Sequence, residues 1–343
     1  MQKISLCLIG FGNVGQAFAR LILKKQAGLE KEPQIQLLIT AIATNRHGIA
    51  VNPGGIDLEQ SLQLIEAGKS IESLNTGSAI TDSIAVIKNC HADVLLENSP
   101  VNYFSGQPAI DHITAALEAG MHAITANKGP VLHAYRKLMA TAVKHGKKFL
   151  FESTVMDGAP IFSLFRSALP ANRLLDFEGV LNSCTNLLLD RMASGETLEQ
   201  AVEFAQSIGI TETDPSGDID GWDAAIKVAI LVNVLMDYPL KLEHIARCGI
   251  RDISKKDIDA AKKNGLRWKL LCRAERLGDK VLASVAPEKV SAESPLFSVQ
   301  GTSSFIKFRT ESLTGLGILE SNPGPETTAY GLLADLLSIV EKS

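Results

Sequence analysis

With 343 residues, 45% of them hydrophobic and 5% aromatic, the chain holds enough apolar material for two packed domains, which excludes a disordered protein. Its 34 basic and 38 acidic side chains leave a net charge of −4, too small a field to hold a polyanion, so nucleic acid is not an expected partner. Five widely spaced cysteines form no Cys-x-x-Cys pair, the N-terminus lacks a signal-peptide core, and no apolar run reaches membrane-spanning length; the expectation is a cytoplasmic protein with neither disulfide framework, zinc site nor membrane anchor.

The chain opens on an apolar run, Ile4 to Ile9, followed by Gly10-Phe11-Gly12-Asn13-Val14-Gly15 and a helical pattern to Gly28. In a strand–turn–helix setting these glycines serve a tight turn, the approach of a pyrophosphate to backbone, and close helix packing, so the pattern predicts a dinucleotide site rather than a merely structural turn. A second strand over Ile35 to Ala43 ends in Thr44-Asn45-Arg46-His47, with no carboxylate to accept a ribose hydroxyl. Arg46 would pair with a 2′-phosphate through its forked donors, which points to NADP over NAD; a solvated loop arginine is the other reading. A helix capped by Asp57 runs to Gly68, and a strand over Asp93 to Glu97 ends at Asn98-Ser99-Pro100. A helix from Pro108 to Ala119 and a strand from Met121 to Thr125 then deliver Ala126-Asn127-Lys128-Gly129-Pro130 to the carboxyl edge of the sheet, where ligands bind in open parallel sheets. Lys128 is either solvent-facing or placed beside a nicotinamide. The next helix spans Val131 to His145, and the next strand Lys148 to Glu152.

From Glu152 to Pro160 the chain is turn-rich, and Glu152, Asp157 and exposed carbonyls could enclose a hard cation; a helix start capped by Asp157 reads equally well. A helix from Ile161 to Ala168, a strand from Leu175 to Asn182, a helix after Ser183-Cys184-Thr185-Asn186 and another over Leu198 to Ile208 follow. Cys184 has no histidine near it in sequence and reads as a buried thiol rather than a nucleophile.

The stretch from Glu212 to Lys227 sets Glu212, Asp214, Asp218, Asp220 and Asp223 ahead of one lysine. Pro215, Gly217 and Gly221 predict a loop over its first ten residues, and Trp222 to Leu235 a buried apolar helix. Asp223 and Lys227, four apart, share one helix face, which suits either a surface ion pair or acid–base chemistry. Between Lys241 and Lys280, twelve basic residues face six acidic ones, but the signs alternate over helical segments such as Asp257 to Lys263, as on solvated helix faces. Strands are expected at Val281 to Val285, Phe297 to Val299 and Ser304 to Thr310, then a second glycine-rich loop, Gly315 to Ala329, opening a final helix that ends near Val340.

Taken together, Thr125-Ala-Asn-Lys128-Gly-Pro, Glu152 through Pro160, Gly179-Val-Leu-Asn182, Glu212-x-Asp214-Pro-x-x-Asp218 through Asp223 to Lys227, and Gly249-Ile-Arg251-Asp-Ile resemble homoserine dehydrogenase over nearly the whole chain. The resemblance implies an α/β architecture: a Rossmann-type doubly wound nucleotide domain over 1–135, completed by the C-terminal helix 322–343, and a second α/β domain for substrate binding and dimerisation over 136–321. It implies an oxidoreductase interconverting L-homoserine and L-aspartate 4-semialdehyde with NADP or NAD, in threonine and methionine biosynthesis, acting as a homodimer. Lys227 would handle the proton of the substrate oxygen, helped by Lys128 and Asp223. Glu212, Asp218, Asn182, Ser183 and Cys184 would line the substrate. Gly10 to Gly15, Thr44, Arg46, Ser99, Pro100, Lys128, Gly324, Glu326 and Thr328 would hold the cofactor. Glu152, Val155, Asp157 and Ala159 match the family's monovalent cation site, with Na+ as the type of ion.

The chain departs from the family at Ser183-Cys184-Thr185-Asn186-Leu187, where Gly-Thr-Thr-Asn-Tyr is frequent, and it ends at Ser343 without the regulatory domain many relatives carry, so no threonine inhibition through such a domain is expected. The rivals are another amino-acid dehydrogenase, which need not use Lys227, and a non-catalytic NADP-binding sensor, which would turn over no semialdehyde.

Overall fold

The computed structural model describes residues 1–77, 80, 82–211 and 213–340. The chain divides into two compact units, Met1–Pro160 with Gly324–Ser343, and Ile161–Pro323. The expected boundary after residue 135 falls inside a helix; the observed one follows Pro160, because the strand after that helix pairs into the first sheet.

The first unit contains β1 (Gln2–Ile9), α1 (Asn13–Lys31), β2 (Ile35–Thr44), β3 (Gly48–Val51), α2 (Leu58–Glu66), α3 (Ser83–Asn89), β4 (Val94–Glu97), α4 (Ala109–Glu118), β5 (His122–Thr125), α5 (Lys128–Lys144) and β6 (Phe149–Leu150). Its sheet has the order β3-β2-β1-β4-β5-β6, parallel throughout except for the β2–β3 hairpin. The continuous apolar character of β1 and β4 suits strands covered on both faces, and Leu6, Leu8, Val94 and Leu96 are buried in the core. The order reverses between β1 and β4, which makes a crevice at their carboxyl ends. The last helix, Pro325–Val340, returns to this unit and buries Ala329, Leu332, Leu333 and Leu336 in the same core.

The second unit carries β7 (Leu174–Val180), α6 (Ser183–Ala193), α7 (Leu198–Ser207), α8 (Ser216–Ile219), α9 (Trp222–Leu235), β8 (Ala246–Arg247), α10 (Lys255–Lys263), β9 (Arg267–Leu277), β10 (Lys280–Val290), β11 (Ser304–Thr310) and β12 (Leu316–Glu320); the returning C-terminal helix is α11. Its sheet, ordered β12-β11-β7-β9-β10-β8, is antiparallel apart from the β8–β10 pair. Three expectations are corrected here. Residues 316–320 form β12 against β11, so the glycine-rich loop before α11 is shorter than expected. Pro295–Ser298 is a 3-10 turn rather than a strand, with Ser294 Oγ accepting from Leu296 N–H at its start. Ser216–Ile219 forms a helical turn inside the acidic stretch, because Pro215 stands just before it and Gly217 is tolerated within it. No helix among the described residues is long and apolar enough to cross a membrane.

Candidate active site

In the first unit, β1 runs into Gly10, whose φ of +91° places it in the left-handed region and whose added Cβ would lie 2.3 Å from the Asn98 carbonyl. The loops after β1 and β4 are therefore packed backbone to backbone at the switch point. Gly15 is also crowded, since its added Cβ would lie 2.7 Å from the Gly10 carbonyl, whereas a Cβ on Gly12 would meet nothing within 4 Å. Gly12 caps α1 without a side-chain hydrogen bond, so the first-turn N–H groups of Asn13, Val14 and Gly15 have no side-chain cap. Phe11 is buried in the core, and a ligand would meet its backbone only. The carboxamide of Asn98 has both polar atoms buried without a protein partner. An open glycine, an uncapped helix start and an orphaned carboxamide at one crevice fit a dinucleotide.

Around this crevice, Ser99 Oγ donates to the buried Glu97 carboxylate, and Asn127 Nδ2 donates to the Ser99 carbonyl at 3.1 Å. Asn127 Oδ1 caps α5 by accepting from Gly129 N–H at 2.9 Å, which sets Lys128 in the first helical turn, earlier than the helix start expected at Val131. Pro100 is exposed. Thr44 Oγ1 donates to the Gly48 carbonyl at 3.2 Å and accepts from His47 N–H, holding the β2–β3 turn on which Arg46 is exposed. At the start of α11, Gly324 N–H donates to Thr327 Oγ1 and the Thr328 hydroxyl donates back to the Gly324 carbonyl at 3.0 Å; Glu326 is exposed.

The segment from Glu152 to Ala159 is a 3-10 turn and loop packed under α11: Glu152 N–H donates to Asp335 Oδ2 at 2.7 Å and Ser153 Oγ to the Thr328 carbonyl at 2.8 Å. Glu152, Val155 and Ala159 are buried, and Asp157 holds a φ of +33°. Among the described residues no group of three or more His, Cys, Asp or Glu side chains is placed to hold a metal ion, so a cation here would rely on backbone carbonyls with one or two carboxylates, an oxygen set suited to a hard ion.

In the second unit the acidic stretch, α6 and α9 converge. Asn182, the N-cap of α6, accepts from Thr185 N–H through Oδ1 and donates through Nδ2 to Asp218 Oδ1 at 2.7 Å and Asp223 Oδ2 at 3.0 Å. Asp223 Oδ2 lies 3.1 Å from Lys227 Nζ one turn along α9, and Lys227 donates also to the Leu181 carbonyl at 2.7 Å. Two of the three lysine N–H donors are thereby accounted for among the described residues. Asp218 Oδ2 accepts from Thr211 at 3.0 Å. The loop is clamped from behind: Arg247 donates to the Asp220 carbonyl and covers the Trp222 ring, Arg251 pairs with Asp220 Oδ1 at 2.8 Å, and a Cβ on Gly249 would lie 2.2 Å from the Ile219 carbonyl. The Gly249-Ile-Arg251 motif is thus a support for the acidic turn. Cys184 is buried in the first turn of α6, where burial first and the Asp218 charge second push its thiol well above the ordinary value, so it stays protonated and is no nucleophile. Ser183 Oγ stands 3.3 Å from Ser304 Oγ. Glu212 lies outside the described residues.

Five of the groups that build these sites were not singled out as site residues from sequence: Glu97, Asn98, Asn127, Thr211 and Arg247. Only Asn127 and Asn98 carried a signal, by flanking Lys128 and Ser99.

The family model described as "Homoserine dehydrogenase, NAD binding domain" matches residues 10–152, and the one described as "Homoserine dehydrogenase" matches residues 160–337. The chain is similar to the NAD(+)-dependent homoserine dehydrogenase of Pseudomonas canavaninivorans, 34% identical over 340 residues that cover 99% of this chain and 97% of the relative. It is 33% identical to the homoserine dehydrogenase of Methanocaldococcus jannaschii, with 98% of each chain covered. Among solved structures, a hyperthermophilic archaeal homoserine dehydrogenase in complex with NADPH superposes with a TM-score of 0.84 at 28% identity, covering 100% of this chain and 99% of that one. On motifs, fold and full-length similarity together, the chain belongs to the homoserine dehydrogenase family.

Proposed function

We propose that the chain interconverts L-homoserine and L-aspartate 4-semialdehyde, with Lys227 as the group that exchanges a proton with the substrate oxygen. The observation that carries this is the junction at Asn182, which holds Asp218 and Asp223 together while Asp223 holds Lys227. Reduction of an aldehyde leaves negative charge on oxygen, and an ammonium fixed by one carboxylate and one carbonyl is preorganised to donate there. The bound nicotinamide cofactor supplies or accepts the hydride. Asp218 and Asp223, with Glu212, hold the substrate ammonium and hydroxyl; Asn182, Ser183 and Cys184 shape the pocket around them. Lys128, in the first turn of α5, is assigned the role of a second lysine for the same oxygen.

On the cofactor side, the Gly10–Gly15 turn takes the pyrophosphate, Ser99 and Pro100 the nicotinamide end, and Gly324, Glu326 and Thr328 a further contact. Arg46 favours NADP; the NAD(+) dependence of the Pseudomonas relative favours the second reading, NAD. Measuring KM for both cofactors in wild type and Arg46→Ala tests this, and an unchanged preference removes the assignment. We further assign a monovalent cation such as Na+ to Glu152, Val155, Asp157 and Ala159, a homodimeric state, a cytoplasmic setting and a place in threonine and methionine biosynthesis. The central test is NADP-dependent oxidation of L-homoserine followed by NADPH absorbance. Lys227→Ala is expected to lower kcat by about 10²–10⁴-fold, the usual scale of lost acid–base catalysis, while NADPH affinity stays near wild type. Wild-type turnover in the variant would sink the assignment of Lys227.

A further inference from the structure

Glu97 ends β4 with its side chain fully buried, in a strand otherwise built of Val94, Leu95 and Leu96. A carboxylate at that depth is costly unless it is well bonded, and an apolar residue would serve a core strand better. Among the described residues it pairs with no lysine or arginine. Its partners are the Ser99 N–H at 3.2 Å and the Ser99 hydroxyl, both on Oε1, the Thr125 hydroxyl on Oε2 at 3.3 Å, and His112 Nδ1 at 3.4 Å. The network continues outward. Thr125 Oγ1 donates to the Glu97 carbonyl at 2.8 Å and accepts from Asn127 N–H at 2.9 Å, and Asn127 Nδ2 returns to the Ser99 carbonyl. Every loop donor in it therefore belongs to one of two segments, 99–100 after β4 and 126–129 after β5, which leave the sheet at its carboxyl edge beside the β1–β4 switch point.

We infer that Glu97 is a positioning residue: its buried carboxylate fixes the loops carrying Ser99 and Lys128 at the nicotinamide end of the cofactor site, an inference that rests on reading this crevice as the cofactor site. Glu97 does not touch the reacting atoms. It acts by accepting two bonds from Ser99 and by orienting Thr125, which sets the Asn127 cap on which Lys128 stands. The pyrophosphate end, built from Gly10 to Gly15, does not depend on it.

The test separates the two ends of the cofactor by titrating purified full-length protein with NADPH and with 2′-phospho-ADP-ribose, which lacks nicotinamide. Glu97→Leu, of similar size and unable to accept, is expected to weaken NADPH by about tenfold or more, the scale of a lost hydrogen bond to a charged group, and to leave the nicotinamide-free probe within about twofold. Glu97→Gln keeps an acceptor for Ser99 and is expected to recover NADPH affinity. Where Glu97→Leu does not fold, Thr125→Val carries the same expectation in weaker form, since it removes the tie between Glu97 and Asn127. Equal loss for both probes, Glu97→Gln as impaired as Glu97→Leu, or Thr125→Val with wild-type discrimination would each overturn the inference. These are binding measurements, so failure of homoserine turnover in wild type would sink the proposed reaction without bearing on them.

Discussion

Asn182 serves two structures with one carboxamide: Oδ1 caps α6, and Nδ2 bridges Asp218 and Asp223. Asn182→Ala is expected to cost about 1 kcal/mol in chemical denaturation through the lost cap, and to raise KM for homoserine while NADPH affinity is unchanged. An unaltered KM would mean that the two aspartates are aimed without it. Lys269 on β9 is buried, donating to Asn186 Oδ1 at 2.6 Å and Asp190 Oδ1 at 3.1 Å, and burial lowers its pKa from the ordinary 10.5 while Asp190 opposes the shift. Between the lowered value and 10.5 the unfolded chain binds more protons than the folded one, so this group's contribution to stability rises with pH through that window and is flat below it. The stability of wild type minus that of Lys269→Met, read by urea denaturation at matched pH, is therefore expected to grow on going alkaline. Cys248 is exposed and the other four cysteines are buried, with burial pushing Cys272 up to about 12. A native thiol titration should find one fast equivalent, lost in Cys248→Ser.

At the scale of elements, the proposed cofactor site would separate folding from binding within the glycines of the β1–α1 turn, since Gly10 is packed against backbone and Gly12 is open. Gly10→Ala would press a methyl into the Asn98 carbonyl at a backbone angle of +91°, so loss of folded protein is expected. Gly12→Ala meets nothing within 4 Å and adopts an ordinary φ of −77°, so thermal stability should stay near wild type. Its methyl would occupy the space a pyrophosphate needs, and NADPH affinity is expected to fall by about tenfold or more, as for a lost set of charge-assisted bonds. Tight NADPH binding by Gly12→Ala would move the phosphates elsewhere. Elements with strong end signals were legible: α9 runs from Trp222 to Leu235 as its apolar run required, and Asp57 caps α2 by accepting from Gln60 N–H. Short elements were not. The hairpin strand β3, Gly-Ile-Ala-Val, and helix α3, Ser-Ile-Ala-Val-Ile-Lys-Asn, carry apolar runs too short to show a period, and β12 hides among glycines because its pairing with β11, rather than its own propensity, makes it a strand.

For the molecule as a whole, light scattering is expected to give twice the chain mass, and a single-chain mass would remove the dimer from the proposal. The sequence by itself determined the local frame of both proposed sites, because each rests on short spacing: a glycine turn between strand and helix, and an aspartate four residues before a lysine on one helix face. Resemblance rather than periodicity implied that the C-terminal helix belongs with the first unit, and α11 buries its apolar face in that unit's core. Tertiary structure alone decided which residues bind these motifs together. Glu97 and Thr125 are 28 residues apart, Asn182 and Asp223 41, and Ser153 and Thr328 175; no local pattern relates such partners. The same holds for the boundary after Pro160, which follows from β6 entering the first sheet beside β5. Hydrogen bonds across long loops are specified by the packed fold, and only the fold shows that the carboxylate at the end of apolar β4 accepts from Ser99 and Thr125.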